Sequence, residues 1–128
     1  MKASDLYNPL VKTILKSPLH GVMSDDTMLL TFTGRKSGQT YSTPINYALD
    51  GNRVTLITNR KHGWWKNFEQ DAPVTVQLRG QERCGVAHLV PADAGALIGA
   101  MIDVYHGISY EQAAKLAPKV VLIRIQLN

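Results

Sequence analysis

Five consecutive residues, Gly34-Arg35-Lys36-Ser37-Gly38, bring together the donors that anion recognition needs. Arginine presents a planar fork of N–H groups and lysine a point charge. Serine and the free amides of a tight turn add further donors, a set suited to phosphate or carboxylate oxygens. The two glycines permit backbone conformations closed to other residues, so the turn can present Arg35, Lys36 and Ser37 together at the end of a hairpin. The competing reading is a solvated hairpin with incidental charge, as charge runs usually are. A nucleotide-triphosphate loop is excluded, because that pattern needs a second glycine before the lysine and a helix after it.

A second cationic stretch, Thr58-Asn59-Arg60-Lys61-His62-Gly63, leads directly into Trp64-Trp65. If its strand neighbours the one carrying Thr43-Pro44, then Arg35, Lys36, Arg60 and Lys61 share one rim and form a polyanion site. An aromatic face beside such a rim suits a flat ring with a phosphorylated tail. Against this stands plain packing, with one tryptophan anchoring a short helix and the other shielding a barrel mouth. The histidines 20, 62, 88 and 106 have no metal-ligand spacing, so no metal is expected. Cys84 falls in a strand pattern and reads as a small packing residue.

The elements that must position these residues follow from periodicity and turn chemistry. Asn8-Pro9 starts a helix whose apolar face is Leu10, Val11, Ile14 and Leu15, closed by Ser17-Pro18. Met28 to Thr33 and Tyr41 to Leu49 read as two strands joined across the glycine-bracketed turn. Asp50-Gly51-Asn52 turns the second of these into Val54–Asn59. Trp64 and its neighbours form a short helix, and Val74–Arg79 pairs with Cys84–Val90 through Gly80-Gln81. Pro91-Ala92-Asp93 opens a helix to about Tyr105, Ser109 to Gln112 has the form of a capping box, and Val120 to Leu127 is a closing strand. The expected fold is α+β and mainly β: a small six-stranded antiparallel split β-barrel in one domain, residues 1–128. An amino-terminal helix precedes it, and a helical insertion comes before the last strand.

Composition agrees with a globular chain: 128 residues, 45% hydrophobic and 19% charged. A net charge of +4 and an isoelectric point near 9.3 favour an anionic partner. The lone cysteine, the absence of an apolar leader in "MKASDLYNPLVK" and the lack of a long apolar run predict a cytoplasmic protein without a membrane span.

Two segments, "LLTFTGRKSGQTYSTPINYALDGNRVTLITNRK" and "WWKNFEQDAPVTVQLRG", resemble the deazaflavin-dependent nitroreductase family of the split β-barrel flavin and deazaflavin oxidoreductases. The resemblance covers about half the chain, from Leu29 to Val90. It rests on the Thr-Gly-Arg-Lys-Ser-Gly turn, the Thr-Pro strand, the Asp-Gly hairpin and the Trp-x-x-Asn segment in the same order. It implies an oxidoreductase that passes a hydride from a reduced deazaflavin of the F-420 type to an electron-poor acceptor such as a quinone, nitro compound or activated alkene. Carried over by position, Arg35, Lys36 and Ser37 hold the phosphate and oligoglutamate tail. Thr43, Pro44, Thr58 and Asn59 line the ring and ribityl region, Arg60 adds an anion contact, and Trp64 borders the ring. Tyr105 and Tyr110 become substrate-side residues. No side chain is expected to act as catalytic acid or nucleophile, because the cofactor carries the chemistry.

The chain departs from the family at Tyr41, where members often carry arginine, and in a short loop between Arg60 and Trp64. Flavin mononucleotide (FMN), with its smaller anionic tail, is therefore the alternative cofactor, and the fold also hosts haem. Split barrels often pair, so a homodimer is among the expected partners. A cofactor- or nucleic-acid-binding barrel without enzymatic activity is the rival class. The clustering of aromatics after one strand, instead of across a sheet face, argues against nucleic acid.

Overall fold

The computed structural model describes residues 27–128, so the helix expected from Asn8-Pro9 lies outside the described residues. Seven strands form one antiparallel sheet: β1 (Thr27–Thr33), β2 (Thr40–Asn46), β3 (Ala48–Asp50), β4 (Arg53–Asn59), β5 (Ala72–Leu78), β6 (Gln81–Val90) and β7 (Val120–Leu127). Their order is β2-β1-β5-β6-β7-β4-β3. The helices are α1 (Ala94–Val104) and α2 (Tyr110–Leu116), with 3-10 segments at Gly63–Phe68 and Ala117–Lys119.

The strand count is seven, not six, because the segment expected as one strand from Tyr41 to Leu49 breaks at Tyr47. Before the break β2 pairs with β1; after it β3 pairs with β4, at the opposite edge of the sheet. Tyr47 is buried, with the Arg79 guanidinium carbon 6.0 Å from its ring centroid. A single run of chain thus supplies both edges, and the sheet curls on itself to make a half-barrel. No ladder joins β2 to β4. The expectation that the Thr43-Pro44 strand neighbours the Thr58 strand in the sheet is therefore corrected: the two face one another across an open seam. Pro44 suits its place, since an edge strand tolerates a residue without an N–H group.

Inside the curl, Met28, Leu30 and Phe32 of β1 meet Val54 and Leu56 of β4, Val76 of β5, and Ile123 and Ile125 of β7. Trp64 and Phe68 close one end of this core. The outer face is covered by Leu97, Ile98, Met101 and Val104 of α1 and Ala113 of α2, over Ile57 and Leu122. Buried on both faces, β7 reads as the apolar run Val120–Ile123 where an exposed sheet would alternate.

Local signals account for most connections. The Gly51-Asn52 loop closes β3 on β4, with Asp50 and Arg53 paired and 3.7 Å apart as an ion pair. Between β5 and β6 the turn residues are Arg79 and Gly80, not Gly80 and Gln81. Both have positive φ, 49° and 78°, the pattern that matches strand twist in a two-residue hairpin, and Leu78 pairs with Gln81. Asp93 caps α1 by accepting from the Ala96 N–H at 2.9 Å, and Ser109 with Gln112 forms the expected capping box on α2. Cys84 is exposed on β6, not packed inside.

Candidate functional site

The glycine-bracketed turn is held from within and from outside. Gly34 N–H donates to the Gln39 carbonyl at 2.7 Å, and Gly38 N–H to the Gly34 carbonyl at 2.9 Å. Gly38 has a φ of +71°, but Gly34 is required for a different reason. A Cβ there would lie 2.7 Å from Tyr41 Cε2 and 2.8 Å from Ser37 Oγ. The Tyr41 ring covers the turn, its hydroxyl 3.1 Å from Ser37 Oγ and donating to Gln39 Oε1 at 3.3 Å.

From outside, Asn67 latches the turn to the 3-10 segment. Its Oδ1 accepts from the Arg35 N–H at 2.8 Å, while its Nδ2 donates to the Trp64 carbonyl at 2.7 Å. No backbone carbonyl among the described residues accepts from the Lys36 or Ser37 N–H. Arg35, Lys36, Ser37 and Tyr41 line one side of a cavity of about 220 Å³, and Gly63, Lys66 and Asn67 line the other. Three cations line this one small cavity and no carboxylate does, a donor set whose charge suits an anion.

The seam between β2 and β4 holds a second cavity, of about 370 Å³, lined by Thr43, Pro44 and Ile45 on one strand and Ile57, Thr58 and Asn59 on the other. His62, Trp64 and Tyr105 complete it. Trp64 is only 4% exposed and belongs chiefly to the core. Its ring stacks on Phe32 at 5.9 Å between centroids and meets Phe68 edge-on at 6.1 Å. The Tyr105 hydroxyl donates to the Ile57 carbonyl at 3.3 Å, and burial pushes its pKa upward, so the phenol stays protonated at neutral pH.

Six of the residues singled out in the sequence, Thr43, Pro44, Thr58, Asn59, Trp64 and Tyr105, thus meet at the seam, while Arg35, Lys36 and Ser37 line the turn cavity. Three others lie elsewhere. The Arg60 guanidinium donates to the Val120 carbonyl at 3.3 Å, its N–H donates to the Lys119 carbonyl at 2.7 Å, and it lines neither cavity. Lys61 likewise lines neither, so the continuous four-cation rim does not form. Tyr110 is 67% exposed on the first turn of α2.

Sequence reasoning gave no role to Lys66, Asn67, Ile45, Ile57 or His62, and it took Tyr41 only as a missing cation. The Trp-x-x-Asn spacing was the available signal for Asn67: three residues bring its amide back to the Trp64 carbonyl within one 3-10 turn.

Residues 15–125 match the family described as F420H(2)-dependent quinone reductase. Among solved structures, an F420 reductase superposes with a TM-score of 0.58 at 19% identity, over 91% of this chain and 92% of its own. A conserved hypothetical protein from Mycobacterium tuberculosis gives 0.62 at 20% identity, over 98% and 84%. The general stress FMN/FAD binding protein from Xanthomonas citri gives 0.57 at 17% identity, over 91% and 85%. At these identities the likeness is one of fold. No protein of curated function matches the sequence.

Proposed function

This chain belongs to the F420H(2)-dependent quinone reductase family, and on that premise we propose that it reduces electron-poor small molecules with a deazaflavin held across the two cavities. The observation that carries the reading is the adjoining of an anion receptor and a seam pocket through one short segment, Gly63–Phe68. The donor set fits the group: Arg35, Lys36, Lys66 and Ser37 suit a phosphorylated, carboxylate-bearing tail. The threonines, Pro44, Ile57 and Trp64 suit a flat ring with a polyhydroxyl linker.

When bound, the deazaflavin supplies a hydride from its C5 position to the acceptor. The protein's part is to bind and orient. Arg35 and Lys36 anchor negative charge, and Asn67 fixes that anchor relative to Trp64. Thr43 and Thr58 offer hydroxyls from opposite walls of the seam, and Tyr105, tied to the Ile57 carbonyl, forms the rim on which an acceptor would rest. Quinones, nitro compounds and activated alkenes all accept a hydride in this way.

A second reading, with FMN as cofactor, is favoured by one observation. Because Arg60 and Lys61 lie off the turn cavity, the cation track is short and a single phosphate suffices to fill it. Fluorescence titration of the purified protein with the deazaflavin and with FMN separates the two. The deazaflavin reading predicts the tighter binding for the deazaflavin and oxidation of its reduced form by a quinone. Tighter FMN binding, with no oxidation of the reduced deazaflavin, would establish the alternative.

A further inference from the structure

A third cavity lies on the outer face of the sheet, between α1 and the β3–β4 hairpin, and shares no lining residue with the turn or seam cavities. At about 600 Å³ it is larger than either. Its floor includes Thr55 and Arg124, cross-strand neighbours on β4 and β7. Its wall is the small-residue face of α1, where a Cβ built on Gly99 meets nothing within 4 Å. Arg124 Nε is buried and has no hydrogen-bond partner among the described residues. A guanidinium N–H withdrawn from water without an acceptor is costly, and an acceptor that reaches it through a small movement of the Arg124 side chain would remove that cost.

The remaining charges restrict what can enter. Asp50 and Arg53 are paired with each other, which leaves one cation, Arg124, and one anion, Asp103, uncommitted on the cleft. With Asp50 set against Arg53 and Asp103 against Arg124, the cleft carries no net charge, so a monocarboxylate adds one negative charge to it and a dianion two. Ala48, Ala96 and Ala100 offer apolar surface for a short aliphatic body.

We propose that this cleft binds a small organic monocarboxylate, whose oxygens accept from the Arg124 guanidinium while its body lies against Ala48 and the small-residue face of α1. The test is a titration of the full chain, with calorimetry and the Arg124 Nε–H resonance as readouts. The probes are 3-methylbutanoate, its uncharged amide and inorganic phosphate. The expected result is a saturable shift with 3-methylbutanoate alone, and binding weaker by roughly ten- to hundredfold in Arg124→Gln, the range for a charge-assisted contact. Gly99→Leu, which fills the cleft from the helix and leaves Arg124 in place, should abolish the shift and guards against a folding defect in the first variant. Absence of a saturable shift, equal binding of the amide, tighter binding of phosphate, or unchanged affinity in the variants would each overturn the proposal.

Discussion

The chain contains the dipeptide Arg-Lys twice near its candidate site, at Arg35-Lys36 and at Arg60-Lys61, and the two copies have opposite fates. The first sits on a turn closed by its own backbone bonds, Gly34 N–H to the Gln39 carbonyl and Gly38 N–H to the Gly34 carbonyl, and its side chains line the turn cavity. The second begins where β4 leaves the sheet, beside the start of β7, and one guanidinium nitrogen of Arg60 donates to the Val120 carbonyl. The difference is one of surroundings, and we propose the anion contact for the dipeptide that lines a cavity, not for the one whose arginine meets a backbone carbonyl. The 3-10 segment Gly63–Phe68 joins the two regions: Asn67 accepts from Arg35, and Trp65 Nε1 donates to the Arg60 carbonyl at 2.8 Å.

Cutting that join at its centre should have the largest effect. Trp64→Ala removes a buried ring from between Phe32 and Phe68 and should cost about 3–5 kcal/mol of stability. Thermal unfolding would show a large fall in melting temperature, with both regions loosened. A near-normal melting temperature would mean that the segment is held by something other than its core anchor.

Releasing one side only should be milder and selective. Asn67→Leu strands the Arg35 N–H and the Trp64 carbonyl, each at about 1–3 kcal/mol if left unsatisfied. It should weaken cofactor binding as well as stability, because the turn loses its fixed position. Stability loss with wild-type affinity would show that the turn holds its shape without the latch.

The smallest effect is expected on the Arg60 side. Arg60→Ala removes a hydrogen bond to a carbonyl and should lower stability by about 0.5–1.5 kcal/mol, with cofactor affinity nearly unchanged. A loss of affinity greater than the loss of stability would return Arg60 to the binding site and erase the contrast between the two dipeptides.

What could be read from the sequence follows the range of the interactions. The turn was legible because its glycines, cations and serine lie within five consecutive residues. Its latch was not, since Asn67 acts across 32 positions. The Arg60 contact was hidden for the same reason, its carbonyl acceptor lying 60 positions away. The strand break at Tyr47 left no mark, because tyrosine is itself a good strand former and only the change of pairing partner reveals the break. The seam residues Thr43 and Thr58 were assigned together through the family resemblance, yet the expected adjacency of their strands was wrong. They meet because the sheet curls, which no local pattern encodes. Tyr105 and Tyr110 looked alike as neighbours of a helix break, but burial separates them: the first is tied to the Ile57 carbonyl, the second exposed.

The most direct test compares cofactor affinity in two paired variants, Arg35→Ala/Lys36→Ala and Arg60→Ala/Lys61→Ala, by fluorescence titration with the deazaflavin at low salt, where exposed charges are least screened. The first pair should lose roughly tenfold or more in affinity for each cation that contacts the tail, while its melting temperature stays near that of the parent. The second pair should bind almost as tightly as the parent. Equal losses in the two pairs, or a greater loss in the second, would contradict the assignment of the anion site to the Gly34–Gly38 turn.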